Sequence, residues 1–457
     1  MRRTRNRFQH GQLSLVLGVA LAAGTGIPVA EAQVLNARRM GMGGVILSDG
    51  GEGAAQNVSY RAVPQGPGPR HIPLPLGLVQ FAVNAPVFDT DDPDFNAFEL
   101  GNALLNPPWH IQLYDPSPPS SDVVLEISRD TLVVQLEDLQ RLFPEQTMMT
   151  GGSLRFPGLD VGFGPAFVGV SSFTEVTNEV SLDRALHAAL AEGGPIVGAT
   201  RYEAWQNGRA QAFASVFAGA AVPLVRPVTE TPYESEAVAL YGGTRIKYLV
   251  GIGYADAVDA VGFTTRDTLF GADPLNLDLQ GLVRSTGGDD LFRGRGVGMD
   301  FGAVVFVRGF EIGLGINDLV HAVTWRVDVD TLRIDPVTND VESLQGPENV
   351  EIDGTFPVSW NLSLAYRGLP GWTLAGSLLR TVGDPEVHLG AEKWLGLVAV
   401  RGGTFLDTSR RLQGSAGAGV RFGGLGLDLG LSTHSRSLTE ERGLEMGLSL
   451  ALYGGGQ

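Results

Sequence analysis

The sequence predicts an all-β chain: a transmembrane, antiparallel, up-and-down β-barrel of about 14 strands. Three observations carry this. From about Gly151 to the C-terminus, segments of period two recur, aliphatic on one face and mostly Gly, Ala, Ser and Asn on the other. Aromatic residues lie near segment ends, at Phe310, Tyr366, Trp372, Phe422 and Tyr453, as in the girdles where barrel strands pass the headgroups. The segments are ~9–11 residues long, the span of a tilted strand, and no apolar run beyond residue 32 is long enough for a spanning helix.

The chain opens with MRRTRNRF, runs apolar through LSLVLGVALAA and reaches Ala30-Glu31-Ala32. A basic stretch, a short apolar stretch and an A-x-A site make a secretory signal peptide, residues 1–32, cleaved after Ala32. Residues 33–150 form an N-terminal region with the first strands, punctuated by Pro-rich chain at 64–75 and 106–121. Within it, VVLEIS–RD–TLVVQL reads as a hairpin and LEDLQRLF (136–143) as a short helix. Residues 151–457 hold the main barrel strands.

QAFASVFAGAAVPL (211–224) and TRIKYLVGIGYADAVDAVGF (244–263) read as strands, preceded by a helix in SLDRALHAALAEGG. Ser181 or Asp183 is its N-cap and Gly193 its stop. The clearest alternations come later, in FEIGLGIN, PVSWNLSLAY, LGLDLGLST and LEMGLSLALY, with GWTLAGSLL a weaker copy. Connections at 367–371 and 423–424 are short, whereas 267–293 and 330–355 read as long polar loops. Short turns at one end and long loops at the other is a habit of outer-membrane barrels.

In LEMGLSLALY the leucines point one way and Glu445, Gly447, Ser449 and Ala451 the other. A soluble sheet would turn its leucines to a core, and a barrel would turn them to lipid. The small opposite face suits a crowded lumen better than open water. By parity Glu311, Asn317, Asn361, Arg421, Asp428 and Glu445 then face inward, because a charge facing lipid is costly. They either line a polar conduit or form an internal network that keeps the barrel shut.

The formal net charge is −17 and cysteine is absent. The first argues against nucleic acid, whose phosphates need a cationic surface. The second removes disulfides, thiol catalysis and cysteine-held metals. No H-E-x-x-H, G-x-S-x-G, P-loop or dinucleotide fingerprint occurs, so no catalytic residue, metal ligand or cofactor is expected and the chain is read as a non-enzyme. DTDDPDFNAFE (89–99) fails the calcium-loop pattern, with Pro93 at a ligand position, and reads as a solvated acidic loop.

After the leader comes VLNARRMGMGGVILSDGGEGAAQNVSYRAV. Ala37-Arg38-Arg39-Met40-Gly41-Met42-Gly43-Gly44, followed by acidic Asp49 and Glu52, resembles the N-termini of fatty-acid-transporter-like outer-membrane barrels. In that family the stretch folds into the barrel as a hatch. The resemblance implies a hatch-like N-terminal segment here, with Met40, Gly41, Met42, Gly43, Gly44 and Asn57 in it. Where the family has an Asn-Pro-Ala turn this chain has Asn57-Val58-Ser59, and Tyr453 is followed by Gly-Gly-Gly-Gln rather than ending the chain. The implied function is a channel in the cell outer membrane for small hydrophobic solutes, gated by an N-terminal plug. Its partners would be outer-membrane lipid, such a solute and the outer-membrane assembly machinery, with no nucleic acid. Two readings of other classes stand beside it: a non-transporting barrel that scaffolds secretion or surface attachment, and a soluble exported β-sandwich that binds partners.

Overall fold

The alternation found in the sequence becomes a single large antiparallel sheet in a computed structural model of the chain. The structure describes residues 36–49, 53–64, 70–74, 109–114, 123–127, 132–136, 146–155, 159–226, 232–233, 236–265, 275–286, 292–334, 341–355, 357–407, 412–433 and 442–453. The leader, the 136–143 helix beyond Leu136 and the acidic loop at 89–99 lie outside them.

Two short helices, α1 (Ala37–Gly41) and α2 (Gly53–Gln56), and a 3₁₀ turn (Val58–Ala62) come first. Strands β1 (Arg70–Pro73) and β2 (Trp109–Tyr114) follow, then the expected hairpin, β3 (Val123–Ile127) and β4 (Leu132–Leu136). Next come β5 (Thr147–Arg155), β6 (Leu159–Phe163), β7 (Ala166–Leu182), helix α3 (Arg184–Ala191) and β8 (Pro195–Ile196). The long strands are β9 (Arg201–Val225), β10 (Ala239–Thr265), β11 (Leu275–Ser285), β12 (Gly294–Val307) and β13 (Phe310–Ile334). Then β14 (Val341–Gln345) and β15 (Val350–Gly354) lead to β16 (Ser359–Tyr366), β17 (Trp372–Arg380) and β18 (Glu386–Leu395). The chain finishes with β19 (Val398–Leu406), β20 (Leu412–Phe422), β21 (Leu425–Thr433) and β22 (Arg442–Leu452).

Several strands are interrupted pieces of one sheet position. β10 pairs with β12 over residues 239–251 and with β11 over 255–265. β13 likewise pairs with β16, β15 and β14 in succession, β7 with β6 and β5, and β22 with β1 and β2. The order is therefore β5/β6, β7, β9, β10, β11/β12, β13, β14–β16, β17, β18, β19, β20, β21, β22, β1/β2, which is fourteen positions of up-and-down connectivity. Among the described residues no ladder joins β5/β6 to β1/β2.

The stretches 267–293 and 330–355 are not simple loops. β11 occupies much of the first, and β13, β14 and β15 extend through the second. Where water meets both faces of a strand, polar residues are no bar to pairing, so polarity there concealed the strands. β9 and β13 each run 25 residues, on the order of 85 Å at ~3.4 Å per residue. β16 to β22 run only 8 to 11. One wall of the molecule thus stands far taller than the other.

Asp183 caps α3, accepting a hydrogen bond from the Leu186 backbone at 2.8 Å, and Gly193 turns the chain with a φ of 70°. Leu182, Leu186, Ile196 and Tyr202 pack the helix onto the outer face of the tall wall. Lower down, the outer face is apolar and uncovered: Val168, Val216, Ile246, Val297, Ile312, Leu314, Leu362, Leu364, Leu374, Leu389, Val400 and Leu427 are all exposed. Among the described residues no second sheet covers them, as a sandwich would require.

Candidate functional site

Residues 36–49 and 53–63 run along the concave inner face of this sheet. Asn36 caps α1 by accepting hydrogen bonds from the Arg38 and Arg39 backbones. The chain then turns at Gly43 and Gly44, whose φ values of 68° and 80° are left-handed and suit glycine. α1 touches β19 to β22, α2 touches β13, and the 3₁₀ turn touches β9, β10 and β12. Arg61 forms an ion pair with Asp160 of β6. The segment therefore meets inner faces from one end of the sheet to the other, and the sheet wraps around it.

Glycines on the inner face make room for the segment. Gly243, Gly302 and Gly315 oppose one another on β10, β12 and β13, as do Gly390 and Gly403 on β18 and β19, and Gly417, Gly430 and Gly447 on β20, β21 and β22. A methyl group on Gly302 would lie 2.8 Å from the Ser59 nitrogen, and one on Gly417 3.0 Å from the Gly41 Cα. A side chain at most of these positions would displace the backbone of the segment, and one at Gly447 would press on the Met40 side chain.

Polar side chains between the glycines bind that backbone. Asn317 and Asn361 both donate to the Gln56 carbonyl, at 3.1 and 2.7 Å. Asn57 donates to the Ala303 carbonyl at 3.1 Å and accepts from Ser59. The Ser377 hydroxyl accepts from the Ile46 backbone at 2.9 Å, and His388 Nδ1 donates to the Gly43 carbonyl at 2.6 Å. Glu311 accepts from the backbone and hydroxyl of Ser48, at 2.9 and 2.7 Å, and from the Tyr233 hydroxyl at 2.8 Å.

An unbroken chain of charges crosses the same region. Asp428 pairs with Arg401, Arg401 with Glu392, and Glu392 with Arg38 of the segment through two hydrogen bonds of 2.8 and 2.9 Å. Arg38 also reaches Asp49 at 3.0 Å, Asp49 reaches Arg367 at 2.7 Å, and Arg367 lies 3.7 Å from Glu311. Burial alone would raise the Asp49 carboxyl, but the Arg367 and Arg38 guanidiniums outweigh it and hold it well below the usual carboxylate range. A second cluster on β10, β12 and β13 joins Arg245, Lys247, Asp300 and Asp318, and Arg245 also donates to the Ala55 carbonyl at 3.3 Å.

Met40, Gly41, Met42, Gly43, Gly44 and Asn57 are all buried, inside the sheet. Glu311, Asn317, Asn361 and Asp428 point inward and are buried with them. Glu445 is half-buried on the inner face of β22, opposite Ser432. Arg421 departs from its expected place. It is exposed at the turn end of β20, its guanidinium 4.1 Å from the Tyr453 ring, because the strand there has passed the packed interior. Parity along the strand gives the face but not the depth.

Sequence reasoning passed over Glu392, Arg401, Arg367 and His388, although a signal existed. His388, Gly390 and Glu392 alternate on one strand, and Arg401 and Gly403 on the next, placing charge beside glycine on the same face. His388 is buried there.

Toward the loop end, above this layer, the interior is aromatic. Phe173, Phe213, Leu249, Tyr254, Val323, Trp325 and Val327 form one buried cluster, with the Trp325 ring 5.1 Å from both Phe213 and Tyr254.

No protein-family model matches the chain, and no curated protein sequence matches it. Among solved structures it is similar to the toluene transporter TbuX of Ralstonia pickettii, with 11% identity and a TM-score of 0.29 over 68% of this chain and 90% of that one. It is also similar to a deletion mutant of the monoaromatic hydrocarbon channel TodX, with 11% identity and a TM-score of 0.28 over 67% and 89%.

Proposed function

We propose that this protein is an outer-membrane β-barrel channel for small hydrophobic solutes, closed at rest by residues 36–63 acting as a plug. The observation that carries the reading is the fit of that segment to opposed inward glycines. A sheet that gives up side chains at matched positions on strand after strand is shaped around a resident chain. The exposed aliphatic outer face supports membrane insertion, since a soluble protein rarely leaves so large an apolar surface open. The aromatic cluster above the plug supports an apolar solute, because barrel lumens are ordinarily polar.

Two measurements test this. Protein from an outer-membrane fraction should run faster on gels unheated than boiled, because a barrel with all strand edges paired resists detergent. In liposomes, uptake of an apolar fluorescent solute should rise when the plug is displaced by Gly403→Val and the aromatic cluster above it is thinned by Trp325→Ala. Equal mobility with recovery in the soluble periplasm would retire the membrane reading, and unchanged uptake would retire transport. The tall wall of β9 to β13 favours a second role as a docking surface outside the bilayer, since it runs well beyond the ~9–11 residues a membrane needs.

A further inference from the structure

The N-terminal segment is not the only thing filling the lumen. One cross-strand row on the inner face reads Phe173, Phe213, Gly251, Gly294, Trp325 and Ile352. Trp325 is completely buried, and its indole lies over the two glycines to reach Phe213 on β9. A methyl on Gly294 would lie 2.5 Å from the indole ring, and one on Gly354 2.7 Å from its Cδ1. The indole thus sits in a three-glycine cradle. Among the described residues its Nε1 has no hydrogen-bond partner, so the contact is one of shape.

The chain after β15 closes over this row. The Thr355 carbonyl accepts from Gln211 and its hydroxyl from Arg209, each at 3.0 Å. β9 and β15 are four positions apart, or about 19 Å along the sheet at ~4.8 Å per step, so these bonds span the curve as a chord. Further round, Val382 lies beside Gly151 of β5, a strand at the far end of the sheet order, with 2.9 Å between its Cγ1 and a methyl there. Opposite walls touch on the loop side of the plug, through groups that belong to neither the plug nor its charge chain.

We propose that Trp325 and the Gly354–Thr355 turn form a second seal, on the loop side, that holds independently of the N-terminal segment. The inference rests on the channel reading, and it makes opening a two-step event: displacing the plug alone leaves the lumen shut above it. The indole is the movable part, because its cradle offers only glycine, aliphatic and aromatic surface and, among the described residues, no hydrogen bond holds it.

The absence of cysteine from the chain allows a sided accessibility test. Ser215 is buried on β9 between Phe213, which touches Trp325, and Phe217, which packs with Val58 of the plug. Full-length Ser215→Cys protein in oriented proteoliposomes is treated with a membrane-impermeant maleimide on one side or the other. Trp325→Ala should raise labelling from the loop side at least roughly tenfold and leave the turn side unchanged, and Gly403→Val should do the reverse. Trp325→Leu, and Arg209→Ala with Gln211→Ala, weaken the same seal more gently, and heat-dependent gel mobility confirms that each variant folds. The proposal is overturned if all loop-side variants protect the introduced thiol as well as the parent does, or if Gly403→Val alone exposes it from both sides. A double variant labelled from both sides that passes no apolar solute would uphold the seal and sink the channel reading.

Discussion

At the scale of single residues, the charges inside this sheet divide by burial. Glu392 is 1% exposed and held by both Arg38 and Arg401, whereas Arg326 and Glu351, paired at 3.1 Å on the tall wall, are each more than half exposed. Removing one partner from a buried group leaves its counter-charges uncompensated, at about 3–5 kcal/mol, while an exposed pair is worth about 1 kcal/mol or less. Glu392→Gln should therefore lower the unfolding free energy in denaturant by several times more than Glu351→Gln. Equal effects would mean that water reaches the interior charges. On β18 and β19 these side chains lie beside glycines, so the inner face offers the N-terminal segment a polar anchor next to a bare backbone.

At the scale of elements, β19 places two glycines side by side with opposite duties. A Cβ on Gly403 would press on Met42 and Gly43, whereas one on Gly402 has nothing within 4 Å. Gly402→Val should be tolerated and simply enlarge the outer apolar face. Gly403→Val should cost about 1–3 kcal/mol, the usual range for overpacking, and should make the segment near Met42 sensitive to added protease while the strands stay resistant. If the two variants behave alike, the segment is not seated on this face. The adjacency also shows why glycine content alone is a poor guide, since pleating sends one of these residues to the N-terminal segment and the next to the outside.

At the scale of the whole molecule, the two walls differ in height, with β9 and β13 far longer than β16 to β22. Leu364, outward and exposed in the middle of short β16, lies in the aliphatic band. Val261, also outward and exposed, lies near the loop end of β10. Arginine facing lipid at the midplane costs about 2–4 kcal/mol, falling to about 0–1 near the interfaces. In lipid vesicles Leu364→Arg should carry the larger cost and Val261→Arg the smaller, by equilibrium unfolding. A reversed order would put the tall wall, not the band, in the membrane. The same asymmetry explains the misjudged loops, because a strand with water on both faces pairs without an aliphatic face.

Read alone, the sequence determined the class of structure and the facing of the regular strands. Period two with a leucine face and a small face allows one sheet and two sides, so the outward leucines of LEMGLSLALY and the inward Glu311, Asn317, Asn361 and Asp428 were legible from parity. About fourteen strand positions followed from segment length. Tertiary structure alone decided what the inner side meets. Nothing local to Asn317 and Asn361 says that they share the Gln56 carbonyl, or that Glu392 meets Arg38 across 354 residues of chain. Nothing local to Trp325 says that glycines on neighbouring strands leave room for its ring. Facing is set by the pleat of one strand and can be read along it. Depth, partners and closure depend on the register and curvature of many strands at once.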